Sequence, residues 1–523
     1  MDNEITSTKV TDYDFHIAHK DNYGVSYSDD GTKLIGIHEK KEFNCIKYQV
    51  KEGTKVICDY AFSKCPNVFR IIIPDSVEVI GVRAFSGCSS LKSIVLSNSL
   101  KTIKSFAFKD CKSLKEITLP NSLETLGEMA FSYTNIKEIT LPYSLIRIEG
   151  NPITYNKVSI KSDSPYFMVE DNNLYSKGMR TIFSFQSETT SFTIPETVKE
   201  IASYAFWYSN LKNITITPNV RTIGINPFAK TTVQIKNLSP LFYLENDLLI
   251  TNDKKTLICN LSKEKEIRLP SSITTISEAA FAFSIINKCI LPNNLRTIKR
   301  HAFESCSQLL EINLPNKIEY IGDGAFMHCC SLEKIDIPKN IKYISNDLFC
   351  KCTSLKELKI PIGVTKICEQ AFWGCYSLNE LTIPTSVIII EKAAFRYCKK
   401  LNSVFIPQTV KRIGFYAFSD CQEITNIKKN RSSYKKYKSI SLIATDIGNK
   451  ERVKKMLPKY LHHIIKEQSL EDYVRSLNTL EENTEIEEVY NNESLEEVKC
   501  PRCGDWYYTS NGVCDTCGYP WNE

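Results

Sequence analysis

Four cysteines near the carboxyl end have the spacing of metal ligands. Cys500 and Cys503 form one C-x2-C pair, Cys514 and Cys517 form a second, and ten residues separate the two pairs. A C-x-x-C turn points two thiolates at one centre, and two such turns complete a tetrahedral site. Because thiolates fill all four positions, no place is left for a reacting water, and we expect a structural site. The predicted ligand is one zinc ion; mononuclear iron and four metal-free thiols are the alternatives.

Nine further cysteines recur at one place in a repeated sequence, three residues after a phenylalanine. They are Cys65, Cys88, Cys111, Cys306, Cys329, Cys352, Cys375, Cys398 and Cys421. A column of thiols could bind metal or act in redox chemistry. However, Thr134 and Ser209 stand at the matching places of other copies, and neither can replace a thiolate ligand. The pattern therefore favours small buried side chains at a tight turn, where cysteine acts as a small apolar group.

Motifs of common enzyme active sites are missing from the sequence. It has no phosphate-binding glycine loop, no nucleophile elbow and no H-E-x-x-H sequence. The seven histidines are scattered along the chain. We therefore expect a protein without catalytic activity.

A 23-residue repeat supplies the elements that position these residues. The pair Ala-Phe marks it, because Phe62, Phe85, Phe108 and Phe131 follow one another at intervals of 23, and the series resumes further along the chain. A proline after a short apolar strand, such as Pro120, is the second landmark. One coil of 23 residues cannot bury its own apolar side chains, whereas stacked coils bury a continuous core beside a parallel sheet. Proline donates no hydrogen bond to a sheet, so it should end the strand of each coil.

A longer period of 75 residues overlies the repeat in the middle of the array, as the distance from Pro120 to Pro195 shows. Each long block contains an extra piece, one from Asp171 and one from Glu245, with apolar residues on both sides of a polar turn. We interpret both pieces as β-hairpins. A related piece from Gly24 precedes the array and should cap the open edge of its sheet.

The array, over about residues 20–425, resembles the BspA-like leucine-rich-repeat family. The spacing of the four C-terminal cysteines is similar to that of zinc ribbons and of the rubredoxin knuckle. The family resemblance implies a curved solenoid with a parallel β-sheet on one side and short helical or irregular segments on the convex side. It also implies protein recognition or adhesion, since family members are known mainly as surface or secreted binding proteins of bacteria and some protists.

These patterns divide the chain into five parts. We predict an N-terminal cap with a β-hairpin at 1–44, a leucine-rich-repeat solenoid at 45–425 with hairpin insertions near 160–190 and 235–265, a basic and helical segment at 426–480, an acidic linker at 481–498, and a zinc ribbon at 499–523.

The parts after the array differ in charge. Residues 428–438 include six basic residues and no acidic one, whereas residues 481–498 include eight acidic residues and no basic one. We interpret the first as a solvated linker or as a contact for phosphate or an acidic partner, and the second as a solvated linker. Apolar residues at near-helical spacing predict a helical segment over 440–480, in which Pro458 marks a kink or a start.

Composition and the first residues bear on location. The chain has 523 residues, a hydrophobic fraction of 42% and a net charge of +6, which by itself predicts neither nucleic acid nor a membrane as partner. It has no apolar run long enough to span a membrane, and its first residues do not form a signal-peptide pattern. We therefore expect a cytoplasmic protein with reduced thiols, and the cell surface is the alternative.

The sequence favours a non-enzymatic scaffold whose solenoid binds a protein of unknown identity and whose zinc ribbon adds a second contact. Two alternatives stay open: a cell-surface adhesin of the BspA-like type, and a nucleic-acid-associated protein that uses the ribbon and the basic segment. Exposed strand positions such as Lys115 and Glu116 show mixed charge and no aromatic row, so the sequence does not indicate which surface binds.

Overall fold

The computed structural model describes residues 7–10, 14, 17–37, 43, 45–155, 157–401, 403–414, 416–424, 437–439, 442–445, 450–456, 465–467, 498–499 and 506–507. The chain forms two compact units: residues 1–254 with 258–262, and residues 255–257 with 263–523. Stacked coils of about 23 residues build each unit, as predicted for a leucine-rich-repeat solenoid. Most coils contribute two short strands, and turns make up most of the remaining backbone.

The first strand of a coil lies at or shortly before the place of the landmark proline, and we call the parallel sheets of these strands the proline face. Its strands in the first unit are Lys47–Gln49, Arg70–Ile72, Ser93–Val95, Glu138–Leu141, Ser159–Ser162, Ser191–Thr193, Asn213–Ile216 and Gln234–Asn237. Its repeat strands in the second unit are Glu266–Arg268, Lys288–Ile290, Glu311–Ile312, Lys334–Asp336, Glu357–Lys359, Glu380–Thr382 and Ser403–Ile406. In most of these strands an inner residue such as Ile71 points into the core and a neighbour such as Arg70 faces solvent, whereas Ser403–Ile406 is buried throughout.

A second strand of two residues follows the proline turn, and we call its parallel sheets the isoleucine face. Its strands in the first unit are Val56–Ile57, Val79–Ile80, Thr102–Ile103, Thr125–Leu126, Arg147–Ile148, Glu200–Ile201 and Thr222–Ile223. Its strands in the second unit are Thr275–Ile276, Thr297–Ile298, Tyr320–Ile321, Tyr343–Ile344, Lys366–Ile367, Ile389–Ile390 and Arg412–Ile413. The sequence analysis missed this face, because two residues are too few to show an alternating pattern.

The N-terminal hairpin caps the first unit as predicted. Val25–Tyr27 pairs antiparallel with Lys33–Ile37, and His19–Lys20 adds a third strand. Lys33–Ile37 then pairs in parallel with Val56–Ile57. The hairpin therefore covers the edge of the isoleucine face, where unpaired backbone groups would otherwise be exposed.

The two insertions contain more strand than expected. In the first, Asn173–Ser176 and Thr181–Ser184 form the predicted hairpin, and Phe167–Glu170 adds a strand that the sequence analysis missed. In the second, Phe242–Glu245 pairs antiparallel with Leu248–Thr251 within the first unit. The strand Thr256–Asn260 follows, and in the second unit Thr256 pairs in parallel with Thr275.

Beyond the repeats, the structure corrects part of the predicted helical segment. Only Lys450–Met456 is helical among the described residues there. Leu442–Thr445 and Ile465–Glu467 are strands, and they extend the proline face of the second unit beyond Ser403–Ile406. Apolar and β-branched residue types favour strands, and pairing covers an edge strand that would otherwise stay open. A further antiparallel pair joins Gln422–Ile424 to Tyr437–Ser439.

The phenylalanines of successive coils stack into a buried spine. In the first unit the rings of Phe62, Phe85, Phe108 and Phe131 lie 5.2–5.5 Å apart with interplanar angles of 6–13°. In the second unit the stack from Phe281 to Phe418 has spacings of 4.8–5.7 Å and angles of 4–16°. Offset stacking at such distances stabilises aromatic pairs beyond the burial of their area.

The turn that carries each phenylalanine has an unusual backbone. The residues two places before and two places after the ring adopt left-handed angles, as Phe106 (φ 60°) and Asp110 (φ 62°) do around Phe108. Hydrogen bonds between coils hold this turn, since the Phe108 N–H donates to the Ala130 carbonyl at 2.8 Å. Left-handed angles cost about 1–2 kcal/mol for residues other than glycine, so the spine and this ladder must offset the cost.

The cysteine column is part of the same turn. Eight of the nine thiols donate to the phenylalanine carbonyl of the preceding coil at 3.1–3.3 Å: Cys88, Cys111, Cys306, Cys329, Cys352, Cys375, Cys398 and Cys421. All nine are buried free thiols, as predicted. Burial raises the pKa of the Cys421 thiol to about 12, and it also raises the pKa of the thiols of Cys111, Cys329, Cys352, Cys375 and Cys398. The cysteines therefore satisfy backbone carbonyls in the core, and their thiolates are disfavoured.

Replacing Phe108 by alanine should lower the free energy of unfolding by about 3–5 kcal/mol, because a fully buried ring with two stacked neighbours is lost. Urea unfolding followed by circular dichroism measures the change. Phe69→Ala is the control, since Phe69 is 37% exposed and lies on the proline face. Similar losses for the two variants would contradict a spine on which the coils depend.

The column cysteines should react slowly with a thiol reagent in the folded protein. Cys330 provides an internal control, because it lies beside buried Cys329 in the sequence and is partly exposed. We expect Cys330 to be alkylated first, while Cys329 and Cys352 react only after unfolding. Mass spectrometry of peptides after timed alkylation distinguishes the sites, and early labelling of Cys329 would show that the column is accessible.

Candidate functional site

The predicted metal ligands Cys500, Cys503, Cys514 and Cys517 lie outside the described residues. In the same region Val498–Lys499 pairs antiparallel with Trp506–Tyr507. Within the described part of the chain, His, Cys, Asp and Glu side chains form no group of three or more that could hold a metal ion. No helix in the described ranges has the length and apolar character needed to cross a membrane.

Three tyrosines form a continuous row on the surface of the first unit, and we call Tyr133, Tyr155 and Tyr208 the tyrosine row. The ring of Tyr155 stacks on that of Tyr133 at 4.2 Å between centroids. It meets the ring of Tyr208 edge to face at 4.5 Å. Tyr155 is 39% exposed and Tyr208 is 38% exposed, so the row presents aromatic surface that is already ordered by its own contacts.

A shortened coil brings these tyrosines together. In the regular turn a phenylalanine N–H donates to the alanine carbonyl of the next coil, whereas the Phe131 N–H donates to the Pro152 carbonyl at 3.0 Å. Pro152 thus takes the place of the alanine, and Tyr155 takes the place two residues after the ring. On the other side, the Asn151 N–H donates to the Ser203 carbonyl at 2.9 Å. Three consecutive turns are therefore locked in register, each with a tyrosine at the same place.

The three tyrosines occupy the left-handed position that lies two residues after the phenylalanine place of the turn. Tyr133 and Tyr155 have φ angles of 57° and 69°, and Tyr208 has 57°. Other coils use lysine, aspartate or glycine there, as at Lys64, Asp110 and Gly87. Because this place tolerates such different side chains, the fold itself does not require an aromatic ring at it.

Buried aromatic residues support the row from beneath. Trp207 is 7% exposed, and its ring lies 5.0 Å from Tyr204 and 6.1 Å from Tyr208. Burial raises the pKa of the Tyr133 phenol, and the neighbouring Tyr208 raises it further. The Tyr133 phenol is therefore held neutral, and the ring contacts restrict the side chains of the row.

Basic side chains extend the row along the turns of the preceding coils. The Lys109 ammonium lies 5.8 Å from the Tyr133 ring and 5.7 Å from the Phe106 ring. The Arg83 guanidinium lies 4.9 Å from Phe106 and 5.9 Å from Tyr60. Cation–π contacts at exposed sites contribute about 0.5–1 kcal/mol each, so they order these side chains modestly.

A polar cleft of about 620 Å³ lies next to the coil that carries Tyr155, and none of the three tyrosines lines it. Its wall includes Lys157, two residues after Tyr155, which places their Cα atoms within about 7.6 Å. Lys157 pairs with Glu188 at 2.7 Å, and this ammonium lowers the pKa of the Glu188 carboxyl. The Gln186 amide donates to the Ile153 carbonyl at 3.0 Å. The cleft gives the aromatic surface a charged and hydrogen-bonding rim.

The proline face offers a different surface over most of the array. Ion pairs join its neighbouring strands, such as Lys161–Glu138 at 2.9 Å and Lys288–Glu311 at 2.7 Å. Their side chains are largely exposed, and such pairs contribute about 0–1 kcal/mol. The mixed charge expected on this face is therefore present. In these coils the lysines and glutamates form ion pairs between neighbouring strands.

The sequence analysis found no aromatic row at the exposed strand positions, and the tyrosine row does not contradict this. The tyrosines lie in the turns, and the shortened coil hides their alignment in the sequence. A usable signal was present nevertheless, because Tyr133 and Tyr208 each stand two residues after a landmark phenylalanine.

Comparison with protein families gives a match to the BspA type leucine-rich repeat region, in six copies, over residues 40–161, 173–245, 255–356 and 319–441. A comparison with curated protein sequences gives no match.

Several solved structures are similar to the chain. A leucine-rich repeat protein from Eubacterium ventriosum is 18% identical, with 80% of this chain and 95% of that chain covered and a TM-score of 0.36. A leucine-rich cell surface protein from Faecalibacterium prausnitzii is 23% identical, with coverages of 74% and 92% and a TM-score of 0.32. The pneumococcal vaccine antigen PcpA is 16% identical, with coverages of 88% and 98% and a TM-score of 0.26.

We draw nothing about function from these structural likenesses. The family match stands apart from them, because it extends over more than half of the chain and coincides with the coils described above. The chain belongs to the BspA-type leucine-rich repeat family.

Proposed function

We propose that this protein is a non-enzymatic scaffold that binds another protein, and that the tyrosine row is its principal contact. The observation that carries the proposal is the row of three tyrosines in ring contact from three consecutive turns, of which Tyr155 and Tyr208 are exposed and Tyr133 is partly buried. Repeat proteins present extended surfaces whose local features are set one coil at a time, which suits recognition of a macromolecule.

The row has the physical properties of a binding hot spot. Tyrosine and tryptophan are enriched among residues that dominate binding energy, because they offer a large contact area at a low cost in side-chain entropy. Here part of that entropy is already lost, since Tyr155 stacks on Tyr133 and meets Tyr208 edge to face, and the Tyr208 ring also lies 6.1 Å from that of Trp207. The Lys157–Glu188 pair at the adjoining cleft supplies the polar rim that surrounds such anchors.

We also propose that the four C-terminal cysteines bind one structural zinc ion and form an auxiliary contact module. The C-x2-C-x10-C-x2-C spacing supports this proposal. The antiparallel pair of Val498–Lys499 with Trp506–Tyr507 adds support, because it brings together the two ends of the segment that contains Cys500 and Cys503. We further propose a cytoplasmic location, and the buried free thiols of the described repeats support it, because they suit a reducing compartment.

Replacing Tyr155 and Tyr208 together by glycine should release the protein partner. Glycine suits the test better than alanine, because both positions have positive φ and the chain itself uses Gly87 and Gly374 at equivalent places. Removal of hot-spot aromatics typically costs at least about 2 kcal/mol of binding, which corresponds to about thirtyfold weaker affinity. Affinity purification with quantitative mass spectrometry identifies partners of the wild type, and their titration against both proteins measures the loss.

Lys64→Gly is the matched control, since Lys64 occupies the same left-handed position (φ 60°) in the first coil. Its partner binding should equal that of the wild type, and all three proteins should unfold at similar temperatures. Full retention of the partner by the double variant would place the contact elsewhere and overturn the proposal.

The purified protein should contain one zinc ion per chain by elemental analysis, and Cys503→Ser should lower this content severalfold, because the four-thiolate site then lacks a ligand. Cys330→Ser is the control, since Cys330 lies in the repeats. Stoichiometric iron, or a metal content unchanged in Cys503→Ser, would contradict zinc at these four cysteines.

A further inference from the structure

The proline face of the first three coils differs from the rest of that face. Its strands Lys47–Gln49, Arg70–Ile72 and Ser93–Val95 pair in parallel and in exact register at each step. Equivalent side chains therefore form columns across the sheet with a spacing of about 4.8 Å per strand. We call residues 46–49, 69–72 and 92–95 the N-terminal patch.

Apolar side chains in the N-terminal patch face solvent. Ile46 is 68% exposed, Val95 is 44% exposed and Phe69 is 37% exposed, and Ile72 is partly buried between them. In register, Ile46 precedes Lys47 as Phe69 precedes Arg70, and Ile72 lies opposite Val95. The exposed apolar residues thus belong to two columns, one with Ile46 and Phe69 and one with Val95, and the column of Lys47 and Arg70 lies between them. Exposed apolar residues grouped on one sheet often mark an interaction site.

All formal charge in the N-terminal patch is positive. Lys47, Arg70 and Lys92 are exposed, and the twelve residues of the patch include no aspartate or glutamate. The Lys92 ammonium lies 5.7 Å from the centre of the Phe69 ring, so cationic and apolar groups are interleaved. Later strands of this face place glutamate beside lysine, as in Lys161–Glu138. Such pairing cannot occur within the patch, because it contains no acid.

We propose that the N-terminal patch docks an acidic peptide segment with apolar side chains that belongs to another protein. Carboxylates of that segment would meet Lys47, Arg70 and Lys92, and its apolar side chains would cover Ile46, Phe69 and Val95. The two interactions reinforce each other, because apolar contact removes water from around the charge pairs and strengthens them. This surface is independent of the tyrosine row and differs from it in chemistry.

The size of the patch suits a single peptide segment. Three strands at about 4.8 Å, with four residues each at about 3.3 Å, give a backbone area of roughly 10 by 10 Å. An α-helix is about 10–12 Å wide with its side chains, so one amphipathic helix or one extended strand covers the columns. Phe69 and Val95 are each less than half exposed, whereas insertion into a lipid surface favours protruding apolar groups. Isoleucine and valine offer no stacking surface to nucleic-acid bases, which argues against a single-stranded nucleic acid.

Fluorescence anisotropy with labelled synthetic peptides and the full chain tests the proposal. The first probe is a peptide of about 18 residues with glutamates and with leucines at i, i+3, i+4 spacing. The second replaces its leucines by serines, and the third replaces its glutamates by lysines. We expect the first to bind, the second to bind at least about tenfold more weakly, and the third not to bind.

Variants then locate the binding surface. Lys47→Glu with Arg70→Glu should weaken the first peptide at least about tenfold, and Phe69→Ser with Val95→Ser should do the same. Lys212→Glu is the matched control, because Lys212 is exposed and occupies the place of Lys92 on a later coil of the same face. An unfolding temperature equal to that of the wild type confirms that a variant is folded. If a variant does not fold, Lys47→Ala is measured in its place.

Equal binding of the first peptide to wild type and to both patch variants would overturn the proposal. So would tighter binding of the wild type to vesicles of phosphatidylserine and phosphatidylcholine, or to duplex DNA, when the same patch variants abolish it. Loss of binding in both patch variants, with Lys212→Glu unaffected, would support it. These results are separable from the tyrosine-row test, because Tyr155→Gly with Tyr208→Gly should leave peptide binding unchanged.

Discussion

The phenylalanine turn is the constraint on which the rest of the structure depends. Each turn needs two residues in left-handed angles, and its phenylalanine carbonyl accepts only one hydrogen bond within the turn, from the N–H three residues later, so one lone pair is left to bond. The next coil solves both problems, since its backbone bonds the turn and its cysteine thiol donates to the phenylalanine carbonyl. A coil is therefore stable only beside its neighbours, which explains why the ring, the small residue before it and the thiol after it recur together.

The position of the glycine after the isoleucine strand shows how close the coils come. A β-carbon built on Gly127 would lie 2.3 Å from the backbone nitrogen of Ser105 in the preceding coil. Such a contact cannot exist without a shift of the backbone, so the coils that carry larger residues at this place must differ slightly in local path. The repeat thus fixes the distance between neighbouring coils, while the backbone path within each coil can adjust slightly.

Much of the fold could be predicted from the sequence, because the repeat turns single-residue preferences into columns. The proline landmark gave the first strand, the burial of the cysteine column followed from its substitution by Thr134 and Ser209, and the N-terminal hairpin was recognised as a cap. The two-residue isoleucine strands could not be predicted, since backbone pairing between coils creates them. Residues 442–445 were misjudged as helix because apolar residues close together fit both periodicities when the partner strand, Ser403–Ile406, is unknown.

The candidate site was less predictable for a related reason. A repeat reveals what all coils share, which is what the core requires, whereas recognition depends on places where one group of coils departs from the others. Tyr155 lies in a coil that lacks the landmark phenylalanine, and the patch around Phe69 lacks the acidic residues that later strands carry. Both surfaces use positions that the spine and the ladder leave free to vary. A solenoid of this kind can therefore change its binding surfaces one coil at a time while the turn that holds the coils together stays the same.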